Sequence, residues 1–114
     1  MRKFKIIRLI LILNLVFIAH IGNAQELPGT LEGFVFNSQT NEPLEAVNVI
    51  LLDTQSGAAT DKKGYFKILN INPGDYEIQA RSIGYKTNNQ EVKIKANESL
   101  KLIINLDLGI SLIY

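Results

Sequence analysis

The sequence lacks the side chains on which most hydrolytic active sites depend. The chain contains no cysteine and no tryptophan, and its only histidine is His20. A zinc site usually includes imidazole or thiolate ligands, and a serine or cysteine nucleophile usually needs a histidine beside it. The 11 acidic residues are enough for the pair of carboxylates that a glycosidase needs. They are, however, spread singly over predicted turns and outward strand faces. We therefore expect no enzyme activity, no catalytic residue, no metal ligand and no cofactor.

The absence of cysteine also bears on stability and attachment. Small exported domains are often held together by disulfides, so this chain must be stabilised by packing alone. A bacterial lipoprotein carries its lipid on a cysteine at the cleavage site. We therefore expect no lipid anchor.

Residues 1–24 have the composition of a secretory signal peptide. A basic head precedes the apolar run Leu9–Ile18, and Gly22 and Ala24 are small residues at the positions that a signal peptidase reads. The head contains Arg2, Lys3, Lys5 and Arg8. The alternative is a transmembrane anchor, for which the run is short, since a bilayer needs about 20 residues. The sequence predicts export, with cleavage after Ala24.

Removing the leader changes the charge of the chain. Four of the 12 basic residues lie in it, which leaves 8 against 11 acidic residues and a formal net charge of −3. Nucleic-acid-binding domains usually carry a basic patch or stripe. We therefore expect no nucleic-acid partner.

Alternating apolar and polar residues after residue 24 predict strands, and no segment there has a convincing helical period. The strands are expected near 31–37, 47–52, 58–60, 66–68, 76–82, 92–94 and 100–106. Residues 87–90 are polar and are interpreted as a turn. Seven or so short strands separated by turn signals predict an all-β, antiparallel β-sandwich.

Turn residues mark the connections between these strands. Asp61 and Gly64 occupy the first and last positions of a predicted type I turn. Pro73 and Gly74 occupy the centre of a predicted type II turn, in which Gly74 has positive φ. Gly84 permits a bend. These five residues are interpreted as structural.

Aromatic residues supply the candidate partner surface. Phe34 and Phe36 alternate with Val35, so a core on the Val35 side leaves both phenylalanines on the outside. An exposed apolar strip commonly marks a site of contact with another protein. We add Tyr65 and Tyr85 to this candidate surface. Three tyrosines could instead form a platform for a sugar, or serve only packing: Tyr65, Tyr76 and Tyr85.

Three aspartates in predicted loops are oxygen ligands of the kind that calcium prefers. They are Asp53, Asp61 and Asp75. Aspartate is also a common turn former, because its carboxylate accepts a nearby backbone N–H. We prefer the turn interpretation and expect no metal site.

Five short motifs follow one another in order between residues 31 and 106. They are Gly33-Phe34-Val35; Glu42-Pro43-Leu44 with Ala46-Val47-Asn48-Val49; Thr60-Asp61 with Gly64 and Phe66; Pro73-Gly74 with Tyr76; and Gly84-Tyr85. This set resembles the carboxypeptidase regulatory-like domain. The resemblance implies a transthyretin-like sandwich, of a type sometimes grouped with carbohydrate-binding-like folds. It implies no peptidase activity, because the domain is an appendage of some carboxypeptidases.

Such domains also occur at the N-terminus of TonB-dependent outer-membrane receptors in the Bacteroidetes. The resemblance implies an exported accessory domain of the periplasm or outer membrane, whose partner is another protein or the rest of a receptor. A free-standing carbohydrate-binding module is the alternative, with a glycan as partner. The expected organisation is a signal peptide at 1–24, a lead-in at 25–30, the sandwich at 31–106 and an apolar tail at 107–114.

The apolar tail allows two expectations. Residues 107–114 either fold back over Phe34 and Phe36, or form the start of a longer receptor. A small domain rarely ends on a free apolar segment, because such segments aggregate. We prefer the longer receptor.

Overall fold

The computed structural model describes residues 26–109, which form seven strands in two sheets. The strands are β1 (Gly29–Asn37), β2 (Asn48–Leu51), β3 (Gly57–Ala59), β4 (Tyr65–Ile71), β5 (Gly74–Arg81), β6 (Asn88–Ile94) and β7 (Ser99–Leu106). The predicted all-β sandwich is confirmed. The predicted signal peptide and residues 110–114 of the predicted tail lie outside the described residues.

The first sheet has three strands in the order β4-β1-β7. Strand β1 pairs with β4 antiparallel and with β7 parallel. We expected antiparallel pairing throughout, so the β1–β7 pair is a difference from the sequence analysis. Parallel neighbours require a long connection, and the other five strands supply it. Because β1 and β7 are not joined by a turn, no local sequence signal indicates that they run parallel.

The second sheet has four antiparallel strands in the order β3-β2-β5-β6. Strand β2 is an inner strand, with Val49 and Leu51 buried on its core face and Asn48 and Ile50 on its outer face. The prediction of a turn at 87–90 is wrong, because Asn88, Asn89 and Gln90 pair with β5 as the first half of β6. Backbone hydrogen bonds with β5 stabilise this half of the strand, although its side chains are polar.

The core lies between the two sheets and consists of alternate residues from six of the seven strands, joined by Val47. Its buried apolar side chains are Leu31, Val35, Val47, Val49, Leu51, Phe66, Ile68, Ile71, Ile78, Ala80, Val92, Ile94, Ile104 and Leu106. Each of these six strands contributes one face, as the alternation predicts, except that the register shift in β4 places the core residue Ile71 three positions after Ile68. Burial of apolar surface at roughly 25 cal/mol per Å² is the main stabilising contribution in a domain without disulfides. Residues 26–109 contain no helix of the length and apolarity that a membrane span requires.

The connection between β3 and β4 is closed by Asp61 and Gly64. The amide of Gly64 donates to the Asp61 carbonyl oxygen at 2.9 Å, and Asp61 Oδ1 accepts from the amides of Lys63 and Tyr65 at 2.9 and 3.0 Å. Gly64 has φ of +76° and lies against the Val35 carbonyl oxygen. Aspartate therefore organises this turn through its side chain, and glycine is required at its end.

Replacing Asp61 by alanine is expected to lower the free energy of unfolding by about 1 kcal/mol, because two backbone amides lose their acceptor. Asp61→Asn is the matched control, since its amide oxygen can accept the same bonds. Urea unfolding followed by tyrosine fluorescence measures both variants. Equal losses in the two variants would show that the charge, and not the hydrogen-bond acceptor, stabilises the turn.

The connection between β4 and β5 differs from the predicted type II turn. Gly74 has φ of +158°, far from the +80° that such a turn requires. It is already the first residue of β5 and pairs with Ile94. The Tyr76 hydroxyl donates to the Asn72 carbonyl oxygen at 2.6 Å across this connection. The early start of β5, after Pro73, replaces the expected turn.

Candidate interaction surface

The outer face of the three-stranded sheet carries a row of apolar side chains across all three strands. Phe34 on β1 lies opposite Tyr65 on β4 and opposite Ile103 on β7. Phe36 lies two residues along β1 on the same face. We call Phe34, Phe36, Tyr65 and Ile103 the outer strip. Phe34 is 37% exposed and Ile103 58% exposed, so the strip is accessible in the part of the chain that the structure describes.

Aromatic rings form the centre of the outer strip. The ring centroids of Phe34 and Phe36 are 6.1 Å apart with an interplanar angle of 15°. The centroids of Phe34 and Tyr65 are 5.4 Å apart with an angle of 56°. The structure thus brings together three of the four residues of the candidate surface. Ile103 was not in that set, although its exposed position on β7 follows from the alternation around Leu102 and Ile104.

A charged row crosses the same face beside the outer strip. Glu32 on β1 lies in register between Lys67 on β4 and Lys101 on β7. The Tyr65 hydroxyl donates to Glu32 Oε2 at 2.6 Å, and Ser99 Oγ lies 3.3 Å from Glu32 Oε1. Opposite charges on neighbouring strands stabilise a sheet modestly. The surface therefore combines an apolar strip with a row of alternating charge.

These contacts shift the pKa of both members of the Tyr65–Glu32 pair. The pKa of Glu32 is lowered, first because the Tyr65 hydroxyl donates to its carboxylate, and also by Ser99, Lys67 and Lys101. The pKa of Tyr65 is raised, chiefly because its proton is held by Glu32. At neutral pH, Glu32 is therefore charged, Tyr65 is neutral, and the hydrogen bond between them is formed.

Replacing Tyr65 by phenylalanine is expected to raise the pKa of Glu32 towards its usual value of 4.5, because the strongest donor to the carboxylate is lost. Carboxyl-carbon NMR titration measures this pKa. A lowered pKa in the folded state contributes stability above the unfolded pKa, and this contribution disappears as the pH falls through the folded pKa. Glu32→Gln should therefore flatten the decline of stability in acid.

Tyr76→Phe is the matched control for that titration, because the Tyr76 hydroxyl donates to the Asn72 carbonyl oxygen. It should leave the pKa of Glu32 unchanged. A Tyr65→Phe variant with the same Glu32 pKa as the unmodified chain would contradict the assignment of the hydrogen bond.

A shallow concavity of about 250 Å³ lies between the strip and the charged row. Phe34, Tyr65 and Ile103 line its apolar side, and Glu32 and Lys101 its charged side. No three histidine, cysteine, aspartate or glutamate side chains within residues 26–109 are placed to hold a metal ion. The residues present can bind apolar and polar groups together but offer no nucleophile–base pair.

Tyr85 lies apart from the outer strip. Its hydroxyl accepts a hydrogen bond from Asn37 Nδ2 at 3.1 Å, and its half-buried ring packs against the core. Gly84, with φ of +87°, makes the bend before it. Tyr85 therefore joins the end of β1 to the segment before β6, and the structure gives it a packing position.

The first residues of the tail run beside this segment and not over the phenylalanines. The Asp107 carbonyl oxygen accepts from the Lys86 amide at 2.8 Å, and the Gly109 amide donates to the Gly84 carbonyl oxygen at 2.9 Å. Leu108 forms an antiparallel bridge with Tyr85. The expected cover over Phe34 and Phe36 is thus not provided by residues 107–109.

The three tyrosines proposed for a sugar platform are separated. Tyr65 is on the outer strip, Tyr85 contacts Asn37, and Tyr76 reaches the connection after β4. They do not form one surface. Only Tyr65 remains beside another aromatic side chain that is exposed, Phe34.

The family model of the CarboxypepD_reg-like domain matches residues 31–112, which include six complete strands and nearly all of β1. The chain belongs to the CarboxypepD_reg-like domain family. The resemblance inferred from the five motifs is thereby confirmed. A comparison with curated protein sequences gives no match.

Solved structures with a similar fold come from several bacteria. One is a type II cohesin–X–dockerin complex of Acetivibrio cellulolyticus, with 24% identity, a TM-score of 0.60, and 71% of this chain and 58% of that chain covered. Another is a minor pilin of Streptococcus agalactiae, with 17% identity, a TM-score of 0.60, and coverage of 79% and 48%. Both are similar to this chain in fold.

A third similar structure is a protein of Bacteroides uniformis whose proposed role is carbohydrate binding. Identity is 10%, the TM-score is 0.55, and 70% of this chain and 41% of that chain are covered. The chain spans less than two thirds of the length of each of these three proteins. The similarity to these proteins is in the β-sandwich fold.

Proposed function

We propose that this CarboxypepD_reg-like domain is a non-enzymatic accessory domain that binds another protein through the outer strip. The observation that carries the proposal is the row Tyr65–Phe34–Ile103, in which Phe34 and Ile103 are exposed apolar side chains although a sheet face directed at water is usually polar. Aromatic residues are enriched where proteins bind one another. The cohesin–dockerin complex and the pilin support a role in assembly by analogy of fold.

The flanking charges favour a protein partner. Lys67, Glu32 and Lys101 border the strip with alternating charge. An apolar centre with a polar rim is the usual composition of a protein–protein interface. Charges at the rim affect specificity and the rate of association more than affinity.

The test uses the full chain, tagged and expressed in its native host. A partner that co-purifies with the unmodified chain should be lost with Phe34→Ser. Leu69→Ser is the matched control, because Leu69 is 57% exposed on the same face but is separated from the strip by Lys67. Circular dichroism must show both variants folded. Retention of the partner by Phe34→Ser would overturn the proposal.

The proposed location of the protein is the periplasm or outer membrane. There it would be the N-terminal extension of a TonB-dependent receptor, or a piece of such a receptor. The composition of residues 1–24 and membership of the family support it. Fractionation of the host and reading of the coding sequence beyond Tyr114 test it. Cytosolic protein that retains residues 1–24 would overturn the export, and an unrelated gene downstream would overturn the receptor.

Carbohydrate binding is the second candidate function. The concavity beside Phe34 and Tyr65 and the fold of the Bacteroides uniformis protein favour it. A sugar-binding face usually needs aromatic rings that lie flat, whereas these two rings are inclined by 56°. Glycan-array binding that disappears with Tyr65→Ala, but not with Tyr85→Ala, would support it. The absence of binding to any glycan would remove it.

A further inference from the structure

The strands β1 and β7 are direct neighbours in the first sheet, and they run in the same direction. All eight residues of β7 are in register with β1. Thr30 lies opposite Ser99 at one end of the pair. Asn37 lies opposite Leu106 at the other end. The chain therefore enters β1 at one end of a continuous hydrogen-bonded ladder and leaves β7 at the opposite end.

This geometry decides how the pair responds to tension along the chain. A pull between a point before Gly29 and a point after Leu106 draws β1 and β7 in opposite directions along their length. Peeling two strands apart breaks their hydrogen bonds one after another, whereas sliding them past each other loads all the bonds of the ladder together. Each bond is weak, so the sharing of the load is what makes the pair resist sliding.

Further hydrogen bonds extend the ladder at both ends. The amide of Thr30 donates to the Glu98 carbonyl oxygen at 2.9 Å. The amide of Ser38 donates to the Leu106 carbonyl oxygen at 2.9 Å, and Ser38 Oγ donates to Asp107 Oδ1 at 2.5 Å. The pairing of the two strands therefore has no open bond at either end from which peeling could begin.

Strand β7 has a second attachment just after its end. The Lys86 amide donates to the Asp107 carbonyl oxygen, and the Gly109 amide donates to the Gly84 carbonyl oxygen. Strand β1 is the central strand of its sheet and is also held by β4. A pull on the end of β7 is therefore passed to the rest of the sandwich mainly through β1.

We propose that the β1–β7 pair is a mechanical clamp, and that the domain has the further function of transmitting tension along its chain without unfolding. The outer strip lies on the same strands, with Phe34 on β1 opposite Ile103 on β7. The clamp keeps these two side chains together under tension, so the proposed binding surface is preserved. The inference goes beyond the proposed function, because it concerns the pairing of two strands and not the protein that binds them.

Pulling single molecules in two directions in an optical trap tests the proposal. The chain has no cysteine, so pairs of introduced cysteines in the full chain determine where the DNA handles pull. Leu27→Cys with Leu108→Cys loads the strands along their length, because Leu27 precedes β1 and Leu108 follows β7. Leu27→Cys with Glu98→Cys draws apart the neighbouring starts of the two strands, because Glu98 directly precedes β7. All three positions are exposed.

The two directions should give different rates of unfolding at the same constant force. Forced unfolding reports the unfolding rate, and we expect that rate to be about tenfold or more lower for the lengthwise pull. Circular dichroism must first show that both double-cysteine variants are folded.

Gly33→Ala examines the clamp itself, because its Cβ atom would overlap the Leu102 carbonyl oxygen between the two strands. It should raise the unfolding rate under the lengthwise pull about tenfold or more and reduce the difference between the two directions. Ile78→Ala is the matched control, since Ile78 is buried on β5 in the other sheet. A cavity there lowers stability, but the ratio of the two rates should stay the same.

Two results would overturn the proposal. The first is an equal unfolding rate in the two directions, a comparison that does not depend on the folding of Gly33→Ala. The second is a ratio of rates that Ile78→Ala reduces as much as Gly33→Ala does, because the resistance would then reflect overall stability and not the β1–β7 pair. These measurements involve no partner, so their outcome is independent of the test with Phe34→Ser.

Discussion

Replacing Phe66 by alanine should lower the free energy of unfolding by about 3–5 kcal/mol. Phe66 is 1% exposed and is the largest of the fully buried side chains in the described residues. The cavity would lie between the two sheets, where backbone hydrogen bonds of β4 and β1 limit relaxation. Domains of this size are stable by roughly 5–15 kcal/mol in total. The loss would therefore be a large part of the stability of a chain without disulfides.

Urea unfolding followed by tyrosine fluorescence suits this measurement, because the chain has tyrosines and no tryptophan. Phe34→Ala is the matched control: the same truncation on the other side of the sheet, at a side chain that is 37% exposed. Its cost should be about 1 kcal/mol, from loss of the aromatic contacts with Phe36 and Tyr65. Similar losses in both variants would contradict the assignment of Phe66 to the core and Phe34 to the surface.

Replacing Gly33 by alanine should cost about 3 kcal/mol, at the upper end of the usual cost of overpacking. A Cβ atom on Gly33 would overlap the Leu102 carbonyl oxygen of β7 and lie 3.1 Å from Phe66 Cε1. The overlapping atom belongs to backbone, so it cannot move without separating β1 from its parallel neighbour. We expect a lower urea midpoint for this variant.

Gly84→Ala separates the effect of overlap from that of backbone strain. Gly84 has φ of +87°, and a Cβ atom at this position would have no other atom within 4 Å. Alanine there therefore has only the cost of a left-handed conformation, about 1 kcal/mol. Gly33→Ala should be the more damaging change. A Gly33→Ala variant as stable as the unmodified chain would show that β1 and β7 can separate at this point without cost.

Most of the sandwich could be predicted from the sequence, because its strands bury one face each. The alternation of Phe66, Ile68 and Lys67 has a direct physical cause, since successive side chains of a strand point to opposite faces. The turn at Asp61 and Gly64 was predictable for a similar reason, because its hydrogen bonds are local. The early start of β5 at Gly74 was not, since the Ile94 partner is distant in sequence.

The candidate surface was predictable only in part. The spacing of Phe34 and Phe36 is enough to place both on the outside once Val35 is in the core. That Tyr65 and Ile103 complete the row depends on the register of β1 with β4 and with β7. Tyr85 was assigned to the candidate surface, but its hydroxyl contacts Asn37. The residues next to Tyr85 in the sequence give no sign of that contact.

The sequence by itself determined the fold class, most residues of the core and the absence of imidazole and thiol chemistry after residue 24, because these depend on local alternation and on composition. The tertiary structure decided which strands are neighbours, that β1 and β7 run parallel, and that residues 88–90 pair as a strand. Backbone hydrogen bonds between distant segments determine these features, and such bonds depend little on side-chain identity. The outer strip follows from that pairing, and so the surface proposed for binding became visible only in the folded chain.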